Sequence, residues 1–178
     1  MVVQDIHIES CNWDARIFYA VTRYDVDAIM QALHRIGCRS QYAAEAYDNL
    51  MKNELNSGLT FSNYNRRCSV VVVALYTSAK QFHRCLTHEL RHLQSHIASA
   101  DGMSEKSEKV CYLLDEIVGL VHDTISPMLC ECCSNKHRHG YEKARQRHKK
   151  SAYGARMPMQ GSRSMLSQLR QRRYRTCG

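Results

Sequence analysis

His88, Glu89 and His92 form the pattern H-E-x-x-H, two imidazoles bracketing a carboxylate. On a helix, residues four apart differ by roughly 40° in direction, so both rings can reach one ion. The intervening Glu89 sits about 60° from His92, close enough to act on a water without being a ligand. The chemistry such a trio serves is hydrolysis at zinc. Zinc activates water and polarises a carbonyl, and Glu89 takes the water proton and delivers it to the leaving amine. Tyr112, His122 and Arg91 are candidate donors to the oxyanion, with Tyr112 the one carried forward as a catalytic residue.

A catalytic zinc site wants three protein ligands and one open position. His96 lies one turn beyond His92 and reaches past the ion, which makes it a supporting or polar-face residue. Acids on the following helix are better placed. They are Glu105, Glu108, Asp115 and Glu116, with Glu108 preferred, Glu116 next and Glu105 third. Asp115 and His122 share a face with Glu108 and are supporting candidates. The same pattern is also satisfied by a surface helix that carries two histidines and an acid.

The motif needs a helix with a buried side. Ser78 caps one that should reach about Ser99, with Phe82, Cys85, Leu86, Leu90, Leu93 and Ile97 as its apolar stripe. Glu89 and the two histidines fall along one edge of that stripe, at a boundary between core and cleft. Lys80, Arg84, Thr87 and Arg91 lie opposite, towards solvent. Stability should therefore be insensitive to Glu89.

The elements around it follow from periodicity. Val2 to Glu9 and Trp13 to Val21 read as strands, the second rich in aromatic and branched residues. Asp25 caps a helix that stops at Gly37, and another helix runs from Ser40 to Lys52. After the Asn56-Ser57-Gly58 turn come a strand from Leu59 to Tyr64 and the apolar run Cys68 to Tyr76, which suits a strand buried on both faces. A last helix spans about Glu105 to Ile125, ending before Pro127. The fold class is α+β, a small antiparallel or mixed sheet packed on helices.

The segments Leu55–Tyr64, Ser69–Val73, His88–His92 and Ser107–Leu113 resemble small zincin-like proteins of the gut Bacteroides group and its phages or mobile elements. They are also similar to gluzincins, in which H-E-x-x-H is completed by a Glu on a later helix. The resemblance covers roughly residues 13–130. It implies an α+β minimal metallopeptidase fold, a zinc cofactor and Glu108 as third ligand within E-x-x-x-Y-L; a peptide or protein is the substrate expected from the H-E-x-x-H chemistry.

The chain has 178 residues, enough for one core. Its net charge of +8 is unevenly spread. Residues 136–178 carry 13 Lys and Arg against Glu142 alone, so 12 bases against 16 acids remain before them. The division expected is a zincin-like domain over 1–133 and a basic, disordered tail over 134–178. Such a tail binds nucleic acid or another polyanion through counterion release. A binding module recruited in this way, retaining the fold without catalysis, is the alternative function. A nucleic-acid processing factor in which the motif arose by chance is the third.

Cys130, Cys132, Cys133 and His137 have the composition of a second metal cluster but not a standard finger spacing. The other six cysteines are scattered, as small buried hydrophobes in a reducing compartment are. No apolar run long enough to span a membrane occurs, and the first residues lack the features of a signal peptide. A cytoplasmic location is expected.

Overall fold

The computed structural model describes residues 1–52 and 54–129. Strand β1 (Val2–Ile8) runs through a single helical turn into β2 (Trp13–Val21). Helices α1 (Val26–Arg35) and α2 (Ser40–Lys52) follow, then strands β3 (Gly58–Asn63) and β4 (Cys68–Ala74), then helices α3 (Ala79–Ala100) and α4 (Glu108–Leu129).

The four strands form one mixed sheet in the order β1-β2-β4-β3. β1 and β3 pair antiparallel with their neighbours, and the central pair β2 and β4 is parallel. The valine run explains the centre. Val71, Val72 and Val73 are fully buried, because β4 is covered by helices on both faces. One face packs Ile17, Tyr19, Val71 and Val73 against Phe82, Leu93, Ile97 and Ile117 of α3 and α4. The other packs Phe18, Val70 and Val72 against Ile29, Leu33, Ala46 and Leu50 of α1 and α2. Alternate residues of one strand thus serve two cores, as the period of two requires.

The helix boundaries have local causes. Ser78 accepts a hydrogen bond from the Gln81 backbone at 3.2 Å and caps α3. α1 ends where Gly37 takes φ +77°, so that the Cys38 amide can return to the Leu33 carbonyl at 2.9 Å. Several details differ from the sequence reading: β4 ends at Ala74 rather than Tyr76, and α4 begins at Glu108 rather than Glu105. Asp25 makes no side-chain cap on α1; its carboxylate instead accepts from the amide and hydroxyl of Thr22, closing a capping box on the preceding turn. α4 continues through Pro127 to Leu129. Buried Ile125 and Met128 hold its last turn on the sheet, so the hydrogen bond that proline removes does not end the helix there.

Candidate functional site

α3 crosses the sheet above β3 and β4, and its residues divide by direction. His88 and His92 are exposed on the flank towards β3. Their Nε2 atoms lie 3.1 Å apart, with the ring planes at 82°. Two imidazole nitrogens at that distance must share something: a proton, one ring donating to the other, or a Lewis acid that takes both lone pairs. A tetrahedral zinc with Zn–N of 2.0–2.1 Å separates two ligand nitrogens by about 3.3 Å. The pair therefore fits one such ion.

Glu89 points elsewhere. It is only 2% exposed and reaches down to the head of β3. There Ser57 Oγ donates to one carboxylate oxygen at 2.8 Å and Thr60 Oγ1 to the other at 2.9 Å. A buried carboxylate is tolerated when its oxygens are bonded in this way. Gly58 makes the approach possible, since a Cβ there would stand 2.8 Å from Glu89 Cγ and 1.9 Å from the Val72 carbonyl oxygen. The expectation that Glu89 lies at the rim of a cleft is corrected by this burial: the carboxylate is pinned between helix and strand.

His96 continues the same flank one turn on and turns inward. Its Nδ1 lies 2.9 Å from Ser62 Oγ, which lies 2.7 Å from Ser69 Oγ, which accepts from the Trp13 indole at 2.8 Å. Tyr64 meets the ring edge-on with centroids 6.1 Å apart. Burial, with the His92 charge second, holds the His96 pKa below its ordinary value. His96 thus joins the sheet's hydroxyl network, its ring centroid 6.2 Å from that of His92.

The third-ligand candidates are not brought to the pair. α4 docks on the opposite flank of α3, where the Gln94 amide donates to the Val110 carbonyl. Gln94 stands about 160° around the helix from His92. Glu108 and Glu105 are exposed near that end of α4. Glu116 accepts from the Ser10 amide at 3.3 Å, over the β1 side of the sheet, and Gln4 of β1 donates to the Leu120 carbonyl. Tyr112 is 66% exposed on the outer face of α4. Asp115 and His122 share that solvent face, His122 beside Ser126 at 3.3 Å. Among the described residues, no group of three His, Cys, Asp or Glu side chains is arranged to hold a metal. The structure does not bring Glu108, the catalytic candidate Tyr112, or the supporting candidates Asp115 and His122 to the histidine pair: their helix packs on the flank of α3 that carries Gln94. Cys130, Cys132, Cys133, His137 and the basic tail lie outside the described residues.

Sequence reasoning missed Ser57, Thr60 and Ser62, the residues of β3 and its approach that face α3. The available signal was the alternation of Thr60 and Ser62 with Leu59 and Phe61, which puts hydroxyls on one face and apolar groups on the other. No helix among the described residues is long and apolar enough to cross a membrane. No family model, curated protein or solved structure matches this chain.

Proposed function

We propose that the chain is a zinc-dependent peptidase, with His88 and His92 as metal ligands and Glu89 as the general base. The observation that carries the reading is the 3.1 Å separation of the two Nε2 atoms on an exposed helix flank. Bound there, zinc supplies a Lewis acid that polarises a carbonyl and makes water nucleophilic near neutral pH. The rest is the work of side chains. As general base, Glu89 would take the proton of the attacking water and hand it to the leaving amine, which requires its carboxylate to turn from Ser57 and Thr60 towards the histidine flank. β3 is an edge strand with one side unpaired in the sheet, so an extended peptide can add to it by main-chain hydrogen bonds and present its backbone to that flank.

A catalytic zinc takes three protein donors, and the described residues bring two to one point. Cys130, Cys132, Cys133 and His137, outside them, are of donor types. The likeness to the zincin-like proteins of Bacteroides and their mobile elements, a cytoplasmic location and a polyanion-binding role for residues 136–178 belong to the same proposal.

One observation favours a second reading. Glu89 is buried with both oxygens occupied, as suits a structural clamp in a non-catalytic binding module that its basic tail recruits to nucleic acid. The experiment is zinc stoichiometry together with hydrolysis of a mixed peptide library, for wild type, Glu89→Gln and His92→Ala. A peptidase binds one zinc, keeps it in Glu89→Gln while hydrolysis falls by about 10²–10⁴-fold, and loses it in His92→Ala. Wild type that takes up no zinc from metal-replete buffer rules the peptidase out.

A further inference from the structure

We infer that the open cleft beside His88 is a carboxylate subsite that selects peptides with an acidic side chain. The inference deepens the peptidase reading and rests on it for the word substrate; recognition itself does not require hydrolysis. The cleft has a volume of about 1080 Å³ and lies between the segment Glu54–Gly58 at the head of β3 and the exposed flank of α3. Its helical wall carries Arg84, His88 and Arg91, and among the described residues the only acid in its lining is Glu54.

Arg84 and Arg91 are seven residues apart, so they lie within about 20° of one direction and about 10.5 Å apart along the helix axis. His88 sits between them. The Arg91 guanidinium donates to the side-chain oxygen of Gln94, and the Gln94 amide is itself tied to the Val110 carbonyl. Gln94 is buried on the flank that receives α4, so this bond draws the Arg91 head towards that flank while its stem lines the cleft, and Arg84 is the guanidinium free to meet the ligand. Arg84 has no ion-pair partner among the described residues. A planar guanidinium with unused donors matches a carboxylate in two-point geometry.

The occupant is a peptide because of what adjoins the cleft. Gly58 lines it and is also the first residue of the edge strand. An extended chain added to that strand projects every second side chain to the same face, about 6.8 Å apart. One such side chain enters the cleft while the backbone stays on the strand. A phosphodiester backbone accepts hydrogen bonds but lacks the alternating donors and acceptors of a strand edge, and it is held by rows of basic side chains along its length rather than by a pair of arginines beside an edge strand.

The test uses the full chain and a pair of fluorescein-labelled octapeptides that differ only in a central Glu or Gln, with binding read by anisotropy. Wild type should prefer the Glu peptide by at least about tenfold, the scale of a charged hydrogen bond. The double variant Arg84→Gln/Arg91→Gln should lose the preference, and Arg84→Lys/Arg91→Lys should keep part of it, which also controls for folding. The basic tail is present in all three proteins, so any difference in preference between them comes from Arg84 and Arg91. Equal affinity of wild type for both peptides, or a preference undiminished in the double Gln variant, overturns the subsite. A single-stranded oligonucleotide that displaces the peptide from wild type, and binds less well to the Gln variant, overturns it in favour of nucleic acid. Zinc content measured on the same samples separates the two proposals. Preference without zinc leaves the subsite standing and removes the peptidase; zinc without preference does the reverse.

Discussion

His88 and His92 hold their Nε2 atoms 3.1 Å apart on the flank of α3 that faces β3, while α4, with Glu108 at its start, packs against the flank that carries Gln94. Metal affinity should therefore depend on the histidines and not on Glu108. His88→Ala removes one of two converging donors and should lower zinc affinity by a hundredfold or more, about the upper end of what supporting groups alone are worth. Glu108→Ala should change it by less than about twofold, as for an exposed side chain distant from the ligands. Competition with a chromophoric chelator measures both. Equal losses in the two variants would restore Glu108 as a ligand and show that α4 moves when metal binds.

Thr60 and Glu89 give a prediction about stability. The Thr60 hydroxyl reaches a carboxylate that is 2% exposed, so Thr60→Val keeps the shape and strands one oxygen. Hydrogen bonds to buried charged groups are worth about 1.5–3 kcal/mol, and urea unfolding at pH 7 should show a loss of that size. Ser57→Ala should cost less, because Ser57 stands at the start of the strand beside an open cleft that lets water in. A Thr60→Val protein as stable as wild type would mean that the carboxylate finds water there and is not pinned.

Gly58 is constrained by a third contact. An added methyl group would lie 1.9 Å from the Val72 carbonyl oxygen, part of the β3–β4 ladder, and 2.8 Å from Glu89 Cγ. The first neighbour is backbone and cannot rotate away. Gly58→Ala should destabilise by about 3 kcal/mol or more, seen in the same unfolding assay, whereas Gly119→Ala, with open space around it, should not destabilise.

Much of this arrangement was readable from residue order. The apolar run at Cys68–Ala74, the Ser78 cap and the stop at Gly37 each act within one element, and local patterns report them faithfully. The elements of the H-E-x-x-H helix and its apolar stripe were equally legible. The flank of α3 that receives α4 was not, because two antiparallel helices can dock on either side with the same loop length; the side is decided by Gln94 meeting the Val110 carbonyl and by Leu90 joining Leu113 and Ile117 in one core. The depth of Glu89 was hidden for a related reason. A wheel places it at the edge of a stripe, but only the sheet, 29 residues away at Thr60, shows that the edge is covered.

Acid stability depends on the direction of protons along the hydrogen-bonded chain Trp13, Ser69, Ser62, His96. The indole N–H can only donate, so Ser69 accepts from Trp13 and donates onward to Ser62, and Ser62 donates to His96 Nδ1. The chain is complete only when that nitrogen is unprotonated. A proton on Nδ1 would force Ser62 to accept and to turn its own hydroxyl towards Ser69. Ser69 would then receive two donors and leave its hydrogen unpaired at a site only 2% exposed. Burial of the ring acts in the same direction, and the His96 pKa lies below its ordinary value. The sign is that of a base depressed by folding. The stabilisation is present above the unfolded pKa of about 6.5 and is lost as pH falls through the folded value. Wild type should lose stability below about pH 6.5, by at most about 1.4 kcal/mol per pH unit from this residue. His96→Gln, which accepts from Ser62 through its amide oxygen at every pH, should show a shallower acid limb. Urea midpoints at pH 7.5, 6.0 and 5.0 for both proteins decide it, and parallel limbs would remove His96 from the account.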